Sequence, residues 1–173
     1  MMPHNHEEHL NKNKVVKCSV ITVSDTRTTE NDTSGKLMME KLKNSGHSLI
    51  TYEIVPDDQE KISSAIQRGL QNEEIQAILV NGGTGIAQRD VTIEVVKKML
   101  EKEMNGFGEL FRYLSYTEDI GSAAILSRAI AGISKKKVVF SVPGSTGAVK
   151  LAMDKLILPE LVHIIWELTK DQK

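Results

Sequence analysis

The chain has 173 residues, with 22 lysines and arginines against 23 aspartates and glutamates and a formal net charge of −1. Its composition, 40% hydrophobic and 26% charged, is that of a globular protein long enough to bury one core of ordinary domain size. The charge balance excludes a general nucleic-acid binder and a polybasic membrane-surface protein, both of which need a basic footprint.

Met1 to Lys14 is polar, has no apolar signal-peptide core and carries His4, His6 and His9. It reads as a disordered, solvated tail, residues 1–14, ahead of a single domain over residues 15–170. The β-branched run from Val15 to Ser24 reads as the first strand. Within it lies Cys18, the one cysteine, so an intramolecular disulfide is impossible, as suits a reducing cytoplasm. Its apolar neighbours make Cys18 a small buried hydrophobe.

Thr33 to Asn44 reads as a helix ended by Gly46, and Ser48 to Val55 as a second strand stopped by Pro56. Ile62, Ala65, Ile66, Gly69 and Leu70 form one apolar helical stripe. Ala77 to Val80 is a short buried strand, Asn81 to Gly85 a turn, and Thr92, Val95, Val96 and Met99 mark another helix. Gly106 to Thr117 is less regular and gathers Phe107, Phe111, Tyr113 and Tyr116; Phe107 and Phe111, four apart, suit one packed helix face. Ser122 is placed to cap a helix through Ile130. Lys137 to Val142 is the last strand, and two helical segments with Pro159 between them finish the chain. The final one carries Leu161, Ile165 and Leu168 on one face, with Trp166 beside it for packing or a subunit contact. No apolar stretch approaches the roughly 20 residues of a membrane span.

Strands alternating with helices of these lengths indicate an α/β protein, a three-layer αβα sandwich with a mostly parallel sheet. Ligands of such folds bind at the carboxyl ends of the strands. Four strand-end loops carry polar residues: Ser24 to Arg27 with Asp32 to Gly35; Pro56 to Asp58; Gly82 to Gly85 with Arg89 and Asp90; and Pro143 to Gly147. Glycine turns let bare N–H groups approach a phosphate. GGTGIAQRD is no P-loop, since it lacks the Gly-Lys-Ser/Thr ending, and the dinucleotide fingerprint is incomplete, which disfavours a nicotinamide-dependent dehydrogenase. Asp25, Asp32, Asp57 and Asp90 all fall on these loops. Carboxylates beside phosphate call for a cation, and Mg²⁺ characteristically uses one or two of them plus substrate phosphates. The same oxygen ligands suit Mn²⁺. The structural alternative is helix capping, since Asp32, Asp57 and Asp90 each precede a helical pattern.

Together these loops resemble the molybdenum cofactor biosynthesis B/MogA family, which includes the G domains of gephyrin and the plant Cnx proteins. The segments that carry the resemblance are Val23-Ser24-Asp25, Asp32-Thr33-Ser34-Gly35, Pro56-Asp57-Asp58, GGTGIAQRD (82–90), GFGELFR (106–112), AILSRAIAG (124–132) and VPGST (142–146). The resemblance implies a molybdopterin-binding domain that adenylylates molybdopterin with Mg-ATP before metal insertion, in a cytoplasmic homotrimer or homohexamer. It implies catalytic roles for Asp57, Asp90 and Asp32, with Mg²⁺ held by Asp90 and Asp57. The implied substrate-binding residues are Ser24, Asp25, Ser34, Gly82, Gly83, Thr84 and Gly85, then Ser115, Ser127 and Arg128, then Pro143, Gly144 and Ser145. Arg128 equally suits a helix-surface or packing role. A second implied reading is a non-catalytic protein of the same pathway that binds molybdopterin or a precursor. The retained Asp32, Asp57 and Asp90 favour the enzyme, while the loop Thr26 to Asn31 and the aromatic segment look B-type and weigh against it. No nucleic-acid or membrane partner is implied.

Overall fold

Short runs, β-branched and buried on both faces at the centre, build a sheet of six strands, seen in a computed structural model that describes residues 14–171. The expected tail lies outside the described residues apart from Lys14. The strands are β1 (Lys17–Val23), β2 (Ser48–Val55), β3 (Ala77–Asn81), β4 (Lys102–Glu103), β5 (Ile130–Ser134) and β6 (Lys137–Val142). Their order is β2-β1-β3-β6-β5-β4. β2, β1, β3 and β6 run parallel, while β5 pairs antiparallel with both β6 and β4.

The helices are α1 (Thr33–Asn44), α2 (Gln59–Gln71), α3 (Thr92–Met99), α4 (Asn105–Glu118), α5 (Thr146–Ala152) and α6 (Leu158–Thr169). Alternation along the strands divides the core in two. Val16, Cys18 and Val20, with Ala77, Leu79 and Phe140, face α1, α4, α5 and α6. Ile21 and Val23, with Ile78, Val80 and Val139, face α2 and α3. This is the expected three-layer sandwich. Cys18 is fully buried, and burial pushes its thiol up to about 12, so it packs rather than reacts. Among the described residues no helix is long and apolar enough to cross a membrane.

Three segments differ from their sequence reading. Gly106 to Thr117 is not irregular but belongs to the 14-residue helix α4, because Phe107, Phe111 and Ser115 recur every four residues and are buried. The Phe107 ring packs on Phe140 with centroids 5.3 Å apart. Gly108 lets α4 approach β5, since a Cβ there would lie 2.7 Å from the Ala129 carbonyl oxygen. Next, the stretch after Ser122 forms only a 3₁₀ turn, Gly121–Leu126, before Ile130 enters β5. β5 and β6 form a tight hairpin through Lys135 and Lys136, both at positive φ (48° and 61°), where turn residues are ordinarily asparagine or glycine. Finally, Pro159 does not separate two helices. It occupies the first turn of α6, and a π turn over Met153–Ile157 joins α5 to α6 without a break. The wider turn accommodates a proline that has no N–H to give.

Candidate functional site

β1 has β2 on one side and β3 on the other, so the connections after β1 and β3 diverge at the place where ligands bind in open α/β sheets. The carboxyl ends of β1, β2, β3 and β6 meet there around a cavity of about 640 Å³. Of the residues anticipated from sequence, Ser24, Asp57, Asp90 and the turn Gly82 to Gly85 line it. So do Pro143, Gly144 and Ser145 from the β6 loop, and Ser115, Ser127 and Arg128 from the far wall. Asp32 and Ser34 are buried behind that surface, whereas Asp25 is exposed and lines an adjoining pocket with Ser24 and Pro56.

The glycine turn passes between two strands and two carboxylates. Gly82 and Gly83 have φ of +96° and +65°, and a Cβ at Gly82 would lie 2.2 Å from the Val23 carbonyl oxygen. A Cβ at Gly83 would meet Thr92 Oγ1 at 2.2 Å and Asp57 Oδ1 at 2.7 Å. Glycine is therefore required by conformation and by contact together.

Asp57 does not cap α2; that role falls to Asp58, whose carboxylate accepts the Lys61 N–H at 2.9 Å. Asp57 Oδ1 is buried without a hydrogen-bond partner. Its backbone N–H donates to Asp25 Oδ1 at 2.9 Å, which explains the place of Asp25. Burial, then the negative charges of Asp25 and Asp90, hold the Asp57 carboxyl above the usual carboxylate range, against an opposing pull from Arg89. Asp90 is half-buried and accepts the Ala87 N–H through Oδ2 at 3.2 Å. It does not cap α3 either, whose capping position is Val91. An orphan carboxylate oxygen among like charges is a setting that a hard cation would relieve, so Asp57 and Asp90 fit Mg²⁺. Among the described residues no group of three or more His, Cys, Asp or Glu is arranged as a self-sufficient metal cage.

Arg128 lies in the loop ahead of β5 rather than on a helix surface. It lines the cavity, and its guanidinium donates to the carbonyls of Thr84 (2.9 Å), Gly85 (2.7 Å) and Asp90 (3.1 Å) while pairing with Glu94. That hydrogen bond, the leading influence, holds the Glu94 carboxyl below its usual range despite some burial. One side chain thus holds the glycine turn and the Asp90 backbone in register.

Asp32 does cap α1: Oδ1 accepts the Gly35 N–H at 2.9 Å. It is fully buried, with Oδ2 accepting the Tyr52 hydroxyl at 2.6 Å. Burial alone pushes its carboxyl up, but hydrogen bonds from Thr22, Tyr52, the Gly35 N–H and Arg27 outweigh that and hold it low. Ser34 is equally buried and donates to Asn81 Oδ1 at 2.8 Å, while Asn81 donates to Thr22 Oγ1 at 3.0 Å. This buried polar network underlies the cavity floor. It reaches the cavity through Arg27, a lining residue that sequence reasoning placed in the loop but not in the site. A lone arginine in a loop carries no signal without its partners. Asp119 and the 3₁₀ segment residues Ala123 and Leu126 also line the cavity and were not anticipated, because the shape of that segment was not.

The family profile described as "Probable molybdopterin binding domain" matches residues 19–163. Molybdenum cofactor biosynthesis protein B of Bacillus subtilis (strain 168) is 58% identical over 158 residues, covering 91% of this chain and 93% of that protein. A crystal structure of a molybdenum cofactor biosynthesis protein B superposes with a TM-score of 0.91 at 58% identity, covering 92% of this chain and 99% of that one. The tungsten cofactor synthesizing protein MoaB from Pyrococcus furiosus superposes with a TM-score of 0.80 at 40% identity, covering 90% and 98%.

Proposed function

The chain belongs to the probable molybdopterin binding domain family of molybdenum cofactor biosynthesis proteins, and on that premise we propose that its strand-end cavity binds molybdopterin and adenylylates it with Mg-ATP. The observation that carries this reading is the convergence of the Gly82 to Gly85 turn with Asp57 and Asp90, where Asp57 Oδ1 is buried without a partner.

The reaction balances without a protein nucleophile. An oxygen of the molybdopterin phosphate attacks the α-phosphorus of ATP, the bond to the β-phosphate oxygen breaks, and pyrophosphate leaves with its electron pair. The products are adenylylated molybdopterin and pyrophosphate. Positioning and charge neutralisation dominate such transfers. Asp57 and Asp90 would hold Mg²⁺, which when bound offsets the negative charge of the phosphates. The Gly82 N–H is held by the Val142 carbonyl, so the N–H groups of Gly83 to Gly85 would meet phosphate oxygens, and Arg128 fixes the shape of that turn. Ser115 and Ser127 present hydroxyls from the far wall to the pterin. Asp32 supports the site from beneath.

The assembly that supports this chemistry is a homotrimer or a pair of trimers in the cytoplasm. What favours assembly is a set of exposed apolar residues: Leu110, Tyr113 and Tyr116 on α4, and Ile125 after it. Sedimentation at micromolar concentration checks it, and a monomer mass counts against it.

The test of the reaction is incubation of purified protein with molybdopterin and Mg-ATP, followed by detection of adenylylated product and pyrophosphate. Turnover that falls at least a hundredfold in Asp90→Asn and Asp57→Asn, with the fold retained, supports the enzyme. Molybdopterin binding with no product above background assigns the chain as a non-catalytic binding protein instead.

A further inference from the structure

We propose that Thr92 is a positioning residue for the cation site, its hydroxyl donating to Asp57 Oδ1 and fixing the carboxylate that would hold Mg²⁺, an inference that rests on the proposed function.

Among the described residues, three buried side-chain oxygens lack a hydrogen-bond partner, and two of them, Asp57 Oδ1 and Thr92 Oγ1, adjoin the same glycine. A Cβ placed on Gly83 would lie 2.2 Å from Thr92 Oγ1 and 2.7 Å from Asp57 Oδ1. The two oxygens therefore flank the bare side of Gly83. One is a hydroxyl with a proton to give; the other belongs to a carboxylate, which when ionised can only accept. Thr92 is fully buried, so leaving its hydroxyl unpaired costs free energy that bulk water does not return.

The helix makes no use of that hydroxyl. Thr92 is the first residue of α3, whose capping position is Val91 and which has no side-chain cap. The Thr92 N–H donates to the Gly83 carbonyl at 3.0 Å, which ties the start of α3 to the glycine turn beside Asp57. Arg128 holds the next two residues of that turn through the carbonyls of Thr84 and Gly85. The Asp57 backbone is fixed by Asp25, which accepts its N–H at 2.9 Å. No hydrogen bond holds Asp57 Oδ1, and the Thr92 hydroxyl is the neighbour placed to supply one; Arg89 acts on this carboxylate through charge.

Gly83 permits the pairing. At φ +65° and with no Cβ it carries no side-chain atom between the two oxygens, whereas any larger residue would wedge them apart. A carboxylate oxygen has two lone pairs, so one hydroxyl donor does not close Oδ1 to a cation. Carboxylates that hold a metal are themselves characteristically held by hydrogen bonds from outside the metal's own ligands, and losing such a partner weakens the metal about 10- to 100-fold. Thr92 meets neither substrate nor cation in this role; it acts through Asp57.

The experiment titrates the full chain with Mn²⁺, which shares the oxygen-ligand preference of Mg²⁺, and reads free Mn²⁺ by EPR. Thr92→Val keeps the shape, removes the hydroxyl and is expected to weaken Mn²⁺ binding about tenfold or more. Thr92→Ser restores the hydroxyl and is expected to bind within about threefold of wild type. In EDTA, the urea midpoint shifts of Thr92→Val and Asp57→Ala are non-additive in the double variant, as direct contact requires. Melting curves confirm folding. Should Thr92→Val not fold, a crystal structure of wild type with Mn²⁺ decides, with Thr92 Oγ1 expected about 2.8 Å from Asp57 Oδ1. Unchanged Mn²⁺ affinity in Thr92→Val, equal losses in Thr92→Val and Thr92→Ser, additive midpoint shifts, or a Thr92 hydroxyl that serves another acceptor overturns the proposal. Wild type that binds no Mn²⁺ overturns it together with the cation site. If Mn²⁺ binding depends on Thr92 but no adenylylated product forms, the enzyme reading fails and the positioning role stands.

Discussion

Asp32→Ala separates the stability role of this carboxylate from any role toward substrate. Three losses follow from the geometry. The Gly35 N–H loses its cap acceptor at 2.9 Å, which costs about 1 kcal/mol. The Tyr52 hydroxyl loses a charged acceptor at 2.6 Å, about 1.5 kcal/mol. Arg27 loses its counter-ion, but at 28% side-chain exposure it rehydrates, so this adds only about 0.5 kcal/mol. The expected destabilisation is about 3 kcal/mol at pH 7. Asp32→Asn keeps the cap acceptor and is expected to cost about half as much.

Urea unfolding at a fixed protomer concentration measures both. The pH dependence supplies a second check. The folded carboxyl of Asp32 is held below its unfolded value of about 3.9, so its contribution is complete above that pH and disappears as pH falls through the folded value. The gap between wild type and Asp32→Ala therefore narrows in acid. A loss below about 1 kcal/mol at pH 7, or a gap that widens on acidification, refutes the reasoning.

Asp57→Asn is expected to stabilise the protein by about 1 kcal/mol near neutrality, read as a higher Tm, while abolishing turnover. Since the folded Asp57 carboxyl is raised, wild type loses stability as pH rises from the ordinary carboxylate value through the folded one, and the variant lacks that slope. Gly108→Ala forces α4 away from the Ala129 carbonyl and should cost about 2 kcal/mol in urea unfolding. Gly106→Ala, with nothing within 4 Å of its Cβ, should gain about 0.5 kcal/mol instead. Replacing Lys135-Lys136 by Asn-Gly relieves positive φ in the β5–β6 hairpin and should raise stability by about 1 kcal/mol in urea unfolding.

The parallel half of the sheet was legible because each strand ends in its own punctuation. Pro56 stops β2, the glycine turn stops β3 and Pro143 stops β6, and the helical stripe from Ile62 to Leu70 needs no tertiary information. The antiparallel edge was not. Its hairpin turn is two lysines rather than Asn-Gly, and β4 is two residues long, so neither has a local signature. α4 was obscured by Gly106 and Gly108, although its Phe107–Phe111 spacing was visible; Gly108 makes sense only beside β5. At the site, the separated aspartates and glycines converge as strand order demands. What no spacing could show is the division among them. Asp32 is a buried cap joined to Arg27, Asp25 holds the Asp57 backbone, and only Asp57 and Asp90 line the cavity. Arg27 bonds the Gly144 carbonyl far away in sequence, and local patterns are silent about this.

The most direct test is a crystal structure of the protein with molybdopterin, Mg²⁺ and a non-hydrolysable ATP analogue. The account predicts both ligands in the strand-end cavity, with the cation between the triphosphate and the carboxylates of Asp57 and Asp90. Pterin density elsewhere, such as the groove beside Met104, Gly108 and Arg112, would contradict it.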